Sequence, residues 1–160
     1  MNINLTTELV GDVIDEALKH VHVKSEKQKI TVIQPDDLLL AQMDARLIVQ
    51  VLINLLDNAI KYTPSDSQIT ITAKRNGSMV CISVADNGLG IPDEQKSRVF
   101  DMFYTGSNKI SDCRRSIGLG LSLCKSIINA HGGEITIADN IPHGAIFAFT
   151  LPVGEVEIHE

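Results

Sequence analysis

The sequence predicts an α+β domain, a largely antiparallel sheet with helices on one face. Three observations carry that expectation. A long amphipathic stretch from Asp44 to Tyr62 has helical spacing. Two alternating strands follow, joined by Asn76-Gly77, a hairpin signal. A helix, a glycine pair and two further strands then close the chain between Leu119 and Leu151.

The elements can be justified in order. Thr6 and Thr7 are placed to cap a first helix, in which Leu9, Val10, Val13, Ile14, Ala17, Leu18 and Val21 share a face. Lys29 to Ile33 reads as a strand and Leu38 to Met43 as a second, shorter one. Asp44 is expected to cap the long helix, and Thr63-Pro64 to stop it. Ile69, Ile71 and Ala73 alternate with Thr70, Thr72 and Lys74, and Val80, Ile82 and Val84 alternate on the return strand. Pro92 opens a helix expected to reach Phe103. Residues 104–117 are polar and without period, and read as a mobile loop. The next helix runs from about Leu119 to His131 and ends at Gly132-Gly133. His131 there reads as a positive charge at a helix C-terminus. Ile135 and Ile137 mark a strand, Asn140 to Gly144 a turn, and Ala145 to Leu151 the last strand. The polar tail, 155–160, is expected to fray.

Composition narrows the function. With 160 residues, 44% of them hydrophobic, the chain suits one domain with a real core. No run approaches the ~20 apolar residues of a membrane span. Met1-Asn2-Ile3-Asn4 does not open a signal peptide. A net charge of -6 argues against nucleic acid as a partner. An anionic ligand therefore needs a local positive site. Cys81, Cys113 and Cys124 form no CxxC or zinc spacing and read as reduced cytosolic thiols.

Three patterns carry chemistry. Asn54, Asn58 and Lys61 lie within roughly 60° of one another on a helix, and Gln50 extends the row. Amide oxygens suit Mg²⁺, which keeps waters and takes phosphate oxygens too, and a lysine one turn on can meet those phosphates. The row equally suits a plain solvent-facing stripe. Asp86 precedes Gly88 and Gly90. A carboxylate there can accept from the exocyclic amine of adenine and would repel guanine's carbonyl; the same residues also make an ordinary turn. Gly118-Leu119-Gly120-Leu121 stands at the expected start of a helix, where backbone N–H groups favour phosphate. A structural glycine pair is the other reading.

Together these segments resemble the catalytic domain of sensor histidine kinases, within the wider group that includes Hsp90, gyrase B and MutL. Asn54-Leu-Leu-Asp-Asn58-Ala-Ile-Lys61-Tyr62 is similar to the family's N box. Asp86-Asn-Gly88-Leu-Gly90-Ile91 is similar to its first glycine box, Phe100-Asp-Met-Phe103-Tyr104 to its F box, and Gly118-Leu119-Gly120-Leu121 to its second glycine box. His131-Gly132-Gly133 and Gly144 to Pro152 also fit. The resemblance covers about residues 44–152, with the boxes in order. Pro35 to Pro64 further resembles the potassium-responsive Kdp-type sensor kinases.

The resemblance implies a two-layer Bergerat (GHKL) sandwich, a mixed sheet under about three helices. It implies an ATP-binding domain over 1–154, with 1–22 as a linking helix and 104–117 as a lid. It implies that Asn54 and Asn58 handle Mg²⁺ and the phosphates, that Lys61 pairs with phosphate and that Tyr62 lines the site. Asp86 would read adenine, and Gly118 and Gly120 would close over the phosphates. Phe100 and Phe103 would anchor the lid. Many such kinases carry an arginine after the F-box tyrosine; here Thr105 stands there. The lid offers Lys109, Arg114 and Arg115 instead, either for the γ-phosphate or as solvated charge. None of His20, His22, His131, His143 and His159 has the context of a phosphoacceptor. The acceptor would lie on a separate dimerisation domain, with a response regulator downstream. The domain itself would be monomeric and sit on the cytoplasmic side of a membrane-anchored sensor. A GHKL ATPase would need a glutamate one turn before Asn58 as general base, where Asn54 stands. ATP hydrolysis and passive nucleotide binding remain the alternatives.

Overall fold

Alternation along the strands builds the sheet and decides what it faces. The computed structural model describes residues 2–35, 38–96, 98–100 and 112–154, the first eight residues of the last segment by backbone only. Five strands, β2 (Lys29–Ile33), β4 (Gln68–Asn76), β5 (Met79–Asp86), β6 (Ile135–Asp139) and β7 (Ala145–Pro152), form one mixed sheet in the order β2-β4-β5-β7-β6. Only the β2–β4 pair is parallel, because the long helix crosses over between those strands. On β4 and β5 the residues expected to face inward, Ile69, Ile71, Ala73, Val80, Ile82 and Val84, are buried. Ala145, Phe147, Phe149 and Leu151 continue that face on β7.

Helices α1 (Val10–Leu18), α2 (Ala45–Lys61) and α4 (Asp112–Ala130) cover the sheet. α2 packs between α1 and α4 and lies on β5. Ile48, Val51, Leu52, Leu55, Leu56, Ala59 and Ile60 form its buried face. The two-layer α/β sandwich expected from the resemblance is therefore present.

Four expectations need correction. Thr6 and Thr7 do not cap α1. They lie in β1 (Thr6–Leu9), which pairs antiparallel with β3 (Leu40–Met43). Threonine's branched side chain favours a strand once a partner is available, and the partner is 37 residues away for Thr6↔Met43. The helix cap at Asp44 is made by its carbonyl, which accepts from Leu47 and Ile48. Its carboxylate instead binds Arg46 and the N–H of Asn4. The helix after Pro92 is a single turn, α3 (Asp93–Lys96), tethered by Lys96 to Asp139 at 2.9 Å.

His131 is the fourth. It is buried, and Nδ1 donates to Ile127 O at 2.7 Å while Nε2 accepts from Asp44 N at 3.0 Å. Those partners require the neutral ring with its proton on Nδ1. It joins the end of α4 to the start of α2 and is not a surface charge.

Candidate nucleotide site

Strand parity delivers Asp86 to the site. It continues the inward series Val80, Ile82, Val84, so a carboxylate occupies a core-facing position at the end of β5. It is 7% exposed. Oδ1 accepts from Gly88 N at 2.9 Å and from Ala145 N at 3.3 Å. Among the described residues no donor engages Oδ2. Burial pushes the Asp86 carboxyl above its ordinary value, against the pull of the two backbone donors.

The surrounding loops are locked to it. Asn140 donates from Nδ2 to Asp86 O at 2.7 Å, and His143 Nδ1 donates to Gly88 O at 2.9 Å. Gly144 has φ +118, and a Cβ there would lie 1.9 Å from Asp86 O, so only glycine lets the two backbones approach. A Cβ on Gly88 would lie 2.7 Å from the Thr63 methyl carbon. Asn87 Oδ1 accepts from Gln68 N at 2.7 Å. Gly90 and Ile91 complete the loop, with Ile91 packed against the core. Phe100 meets Phe147 edge to face, centroids 6.1 Å apart.

The second group lies on α2. Asn54 and Asn58 are half-buried. Asn54 Oδ1 accepts from Gln50 Nε2 at 3.0 Å, and its Nδ2 lies 3.7 Å from Cys124 Sγ. Asn54 thus reaches from α2 to α4, with Gly120 beside it. Burial pushes the Cys124 thiol up to about 12, which keeps it protonated and inert. Among the described residues no hydrogen bond engages the Asn58 amide. Lys61, the last residue of α2, is exposed, and Tyr62 caps the helix, half-buried.

The glycine pair is placed differently from expectation. α4 begins at Asp112, so Gly118, Leu119, Gly120 and Leu121 lie inside it rather than at its N-terminus. The polar run Asp112 to Ser116 contains arginines, which are good helix formers, and its lack of an apolar period hid the extra turns. Residues 104–111 of the expected lid, with Tyr104, Thr105 and Lys109, lie outside the described residues, as do Phe103 and the tail 155–160.

Residues 43–155 match the family model described as histidine kinase-, DNA gyrase B-, and HSP90-like ATPase. The chain belongs to this family. It is 43% identical over 145 residues to sensor protein KdpD of Clostridium acetobutylicum, covering 91% of this chain and 16% of that protein. It is 45% identical over 120 residues to the adaptive-response sensory kinase SasA of Gloeothece citriformis, covering 74% of this chain and 30% of that one. The catalytic domain of histidine kinase ThkA superposes with a TM-score of 0.80 at 32% identity, covering 93% of this chain and 95% of ThkA's domain. ThkA in complex with the response regulator protein TrrA gives 0.77 at 31% identity, covering 94% of this chain and 42% of that one. The chain therefore spans less than a third of the two curated relatives and nearly all of an isolated histidine kinase catalytic domain. It is a domain of the histidine kinase catalytic type. No helix among the described residues is long and apolar enough to cross a membrane.

Sequence reasoning missed four residues around this site. In the sequence Asn140 and His143 suggest only a turn and a non-acceptor, although two hydrogen-bonding side chains in one short turn are a usable signal. Thr63 signals only a helix stop. Gln28 sits in a polar stretch with no local pattern, yet is 2% exposed.

Proposed function

We propose that this domain binds Mg-ATP and delivers the γ-phosphoryl group to a histidine on a separate dimerisation domain of its parent protein. The observation that carries the reading is Asp86. Two backbone donors hold Oδ1 and leave Oδ2 for an outside donor. The amine of adenine is such a donor, and guanine's carbonyl is not.

The site tells against hydrolysis. Asn54 stands where a water-activating base would be needed, and an amide cannot take a proton. A histidine acceptor is nucleophilic as the neutral ring and needs no base from this domain. What this chain supplies is position and charge. Asp86, Gly88, Gly90 and Ile91 hold the base, Tyr62 lines the site, and Lys61 meets phosphate.

Mg²⁺ fits the donor set through Asn58, a half-buried amide with no other hydrogen bond among the described residues. Asn54 would join it by releasing the exposed Gln50. Bound there, the ion neutralises phosphate charge. Gly118 and Gly120 would meet phosphate only with the preceding turns of α4 unwound, since a helix commits its N–H groups to carbonyls four residues back. Residues 104–117 would then act as the lid. By this reading the parent is a membrane-anchored sensor whose cytoplasmic part carries this domain and hands the phosphoryl group to a response regulator.

The test mixes the domain, γ-labelled ATP and a separately prepared acceptor domain of a matching kinase. The expected result is acid-labile, base-stable label on the acceptor. Nucleotide binding without label on the acceptor would overturn the kinase reading. Release of inorganic phosphate without an acceptor would favour the ATPase alternative.

A further inference from the structure

The last carbonyls of a helix have no partners within it. At the end of α2 they are met by a segment far back in the chain. Lys24 Nζ donates to Lys61 O and to Thr63 O, both at 2.7 Å. Gln28 Nε2 lies 3.2 Å from Ile60 O, 3.0 Å from Ser67 Oγ and 3.4 Å from Thr63 Oγ1. Gln28 Oε1 accepts from Lys24 N at 2.8 Å. Ser25 Oγ adds a bond to Ser65 O at 2.6 Å. Residues 24–28 thus clip the turn that follows α2, and the buried amide of Gln28 is the centre of the clip.

The turn so held touches the adenine end directly. Thr63 Oγ1 donates to Ala59 O at 2.6 Å and shares a 2.6 Å bond with Ser67 Oγ. These bonds fix the rotamer of Thr63, and so fix its methyl group. That methyl fills the space in which Gly88 would carry a Cβ. Gly88 N in turn sets Asp86 Oδ1. We propose that Gln28 is a positioning residue for base recognition, acting through Thr63 and Gly88 to hold the Asp86 carboxylate in register with the base. The proposal rests on the adenine reading of Asp86.

The experiment is calorimetric titration of the chain with Mg-ATP and with the Mg complex of purine riboside triphosphate, which lacks the 6-amino group. The ratio of the two affinities reports base recognition alone. A purely structural role for Gln28 would weaken both ligands equally and leave the ratio unchanged. Gln28→Leu is expected to lower the ratio by ~fivefold while binding of the analogue changes little. Thr63→Ser keeps the hydroxyl bonds and removes only the methyl; it is expected to lower the ratio in the same direction, and it decides the matter alone if Gln28→Leu does not fold. An unchanged ratio in the folded variants, with Asp86→Asn abolishing discrimination, overturns the proposal and leaves the site reading intact. If Asp86→Asn also leaves the ratio at its wild-type value, the adenine reading fails, and the proposal with it.

Discussion

The two ends of the site are built by different means. Around Asp86 the backbone is pinned from three directions: by Asn140 and His143 on one loop, by the close approach of Gly144, and by the methyl of Thr63. On α2 and α4 the polar groups are looser. The side-chain amide of Asn58 is without a hydrogen bond among the described residues, Asn54 leans on an exposed glutamine, and Gly118 and Gly120 are held within a helix. On the adenine reading of Asp86, the first end is preorganised for a rigid planar base. On the same reading the second would have to adapt, because phosphates and a bound metal would change charge and position as the group is transferred. Rigidity is concentrated where the ligand is constant.

Four substitutions would break or sharpen that contrast. The largest effect is expected from Gly144→Ala. A methyl 1.9 Å from Asp86 O, on a residue at φ +118, should cost about 3 kcal/mol or more of folding stability and remove ATP binding. Urea denaturation measures it, and a loss below about 1 kcal/mol would show that the adenine end yields after all.

Asp86→Asn should be next, with effects of opposite sign on binding and stability. Loss of the charge-assisted bond should weaken ATP by ~1.5–3 kcal/mol, roughly ten- to a hundredfold. Burial raises the Asp86 carboxyl in the folded state. A raised value means that its contribution to stability is present below the ordinary carboxylate value and is lost as pH rises through the folded one. Near neutral pH the ionised, buried group therefore weighs against the ligand-free fold. The asparagine variant should melt at a higher temperature than wild type there, and the gap should close as pH falls toward about 4. A variant that melts lower at neutral pH would mean that the two backbone donors outweigh burial.

The smallest effect separates the two asparagines. Asn58→Ala should weaken ATP by about 1 kcal/mol in the presence of Mg²⁺ and little in its absence. Asn54→Ala should show less of this metal dependence, because its amide is already used between α2 and α4. Titrations with and without Mg²⁺ read the difference; a larger metal effect at Asn54 would reverse the assignment.

The sequence by itself determined what depends on local spacing. The 3.6-residue period set α2 and its asparagine row, and the two-residue period of β5 carried Asp86 to the core face. Glycine and proline marked most of the turns. Only the tertiary structure decided what depends on partners distant in the chain. Thr6 and Thr7 became strand residues because β3 was there to pair with them. His131 became a buried neutral link because the start of α2 offered it an N–H. Gln28 became a buried clip because α2 ended beside it with carbonyls to spare. A hydrogen bond across 32 residues, or across 87 as at His131, leaves no period in the sequence. Its net stabilisation is what remains after two polar groups exchange their bonds to water for a bond to each other, and that pairing exists only once the chain has folded.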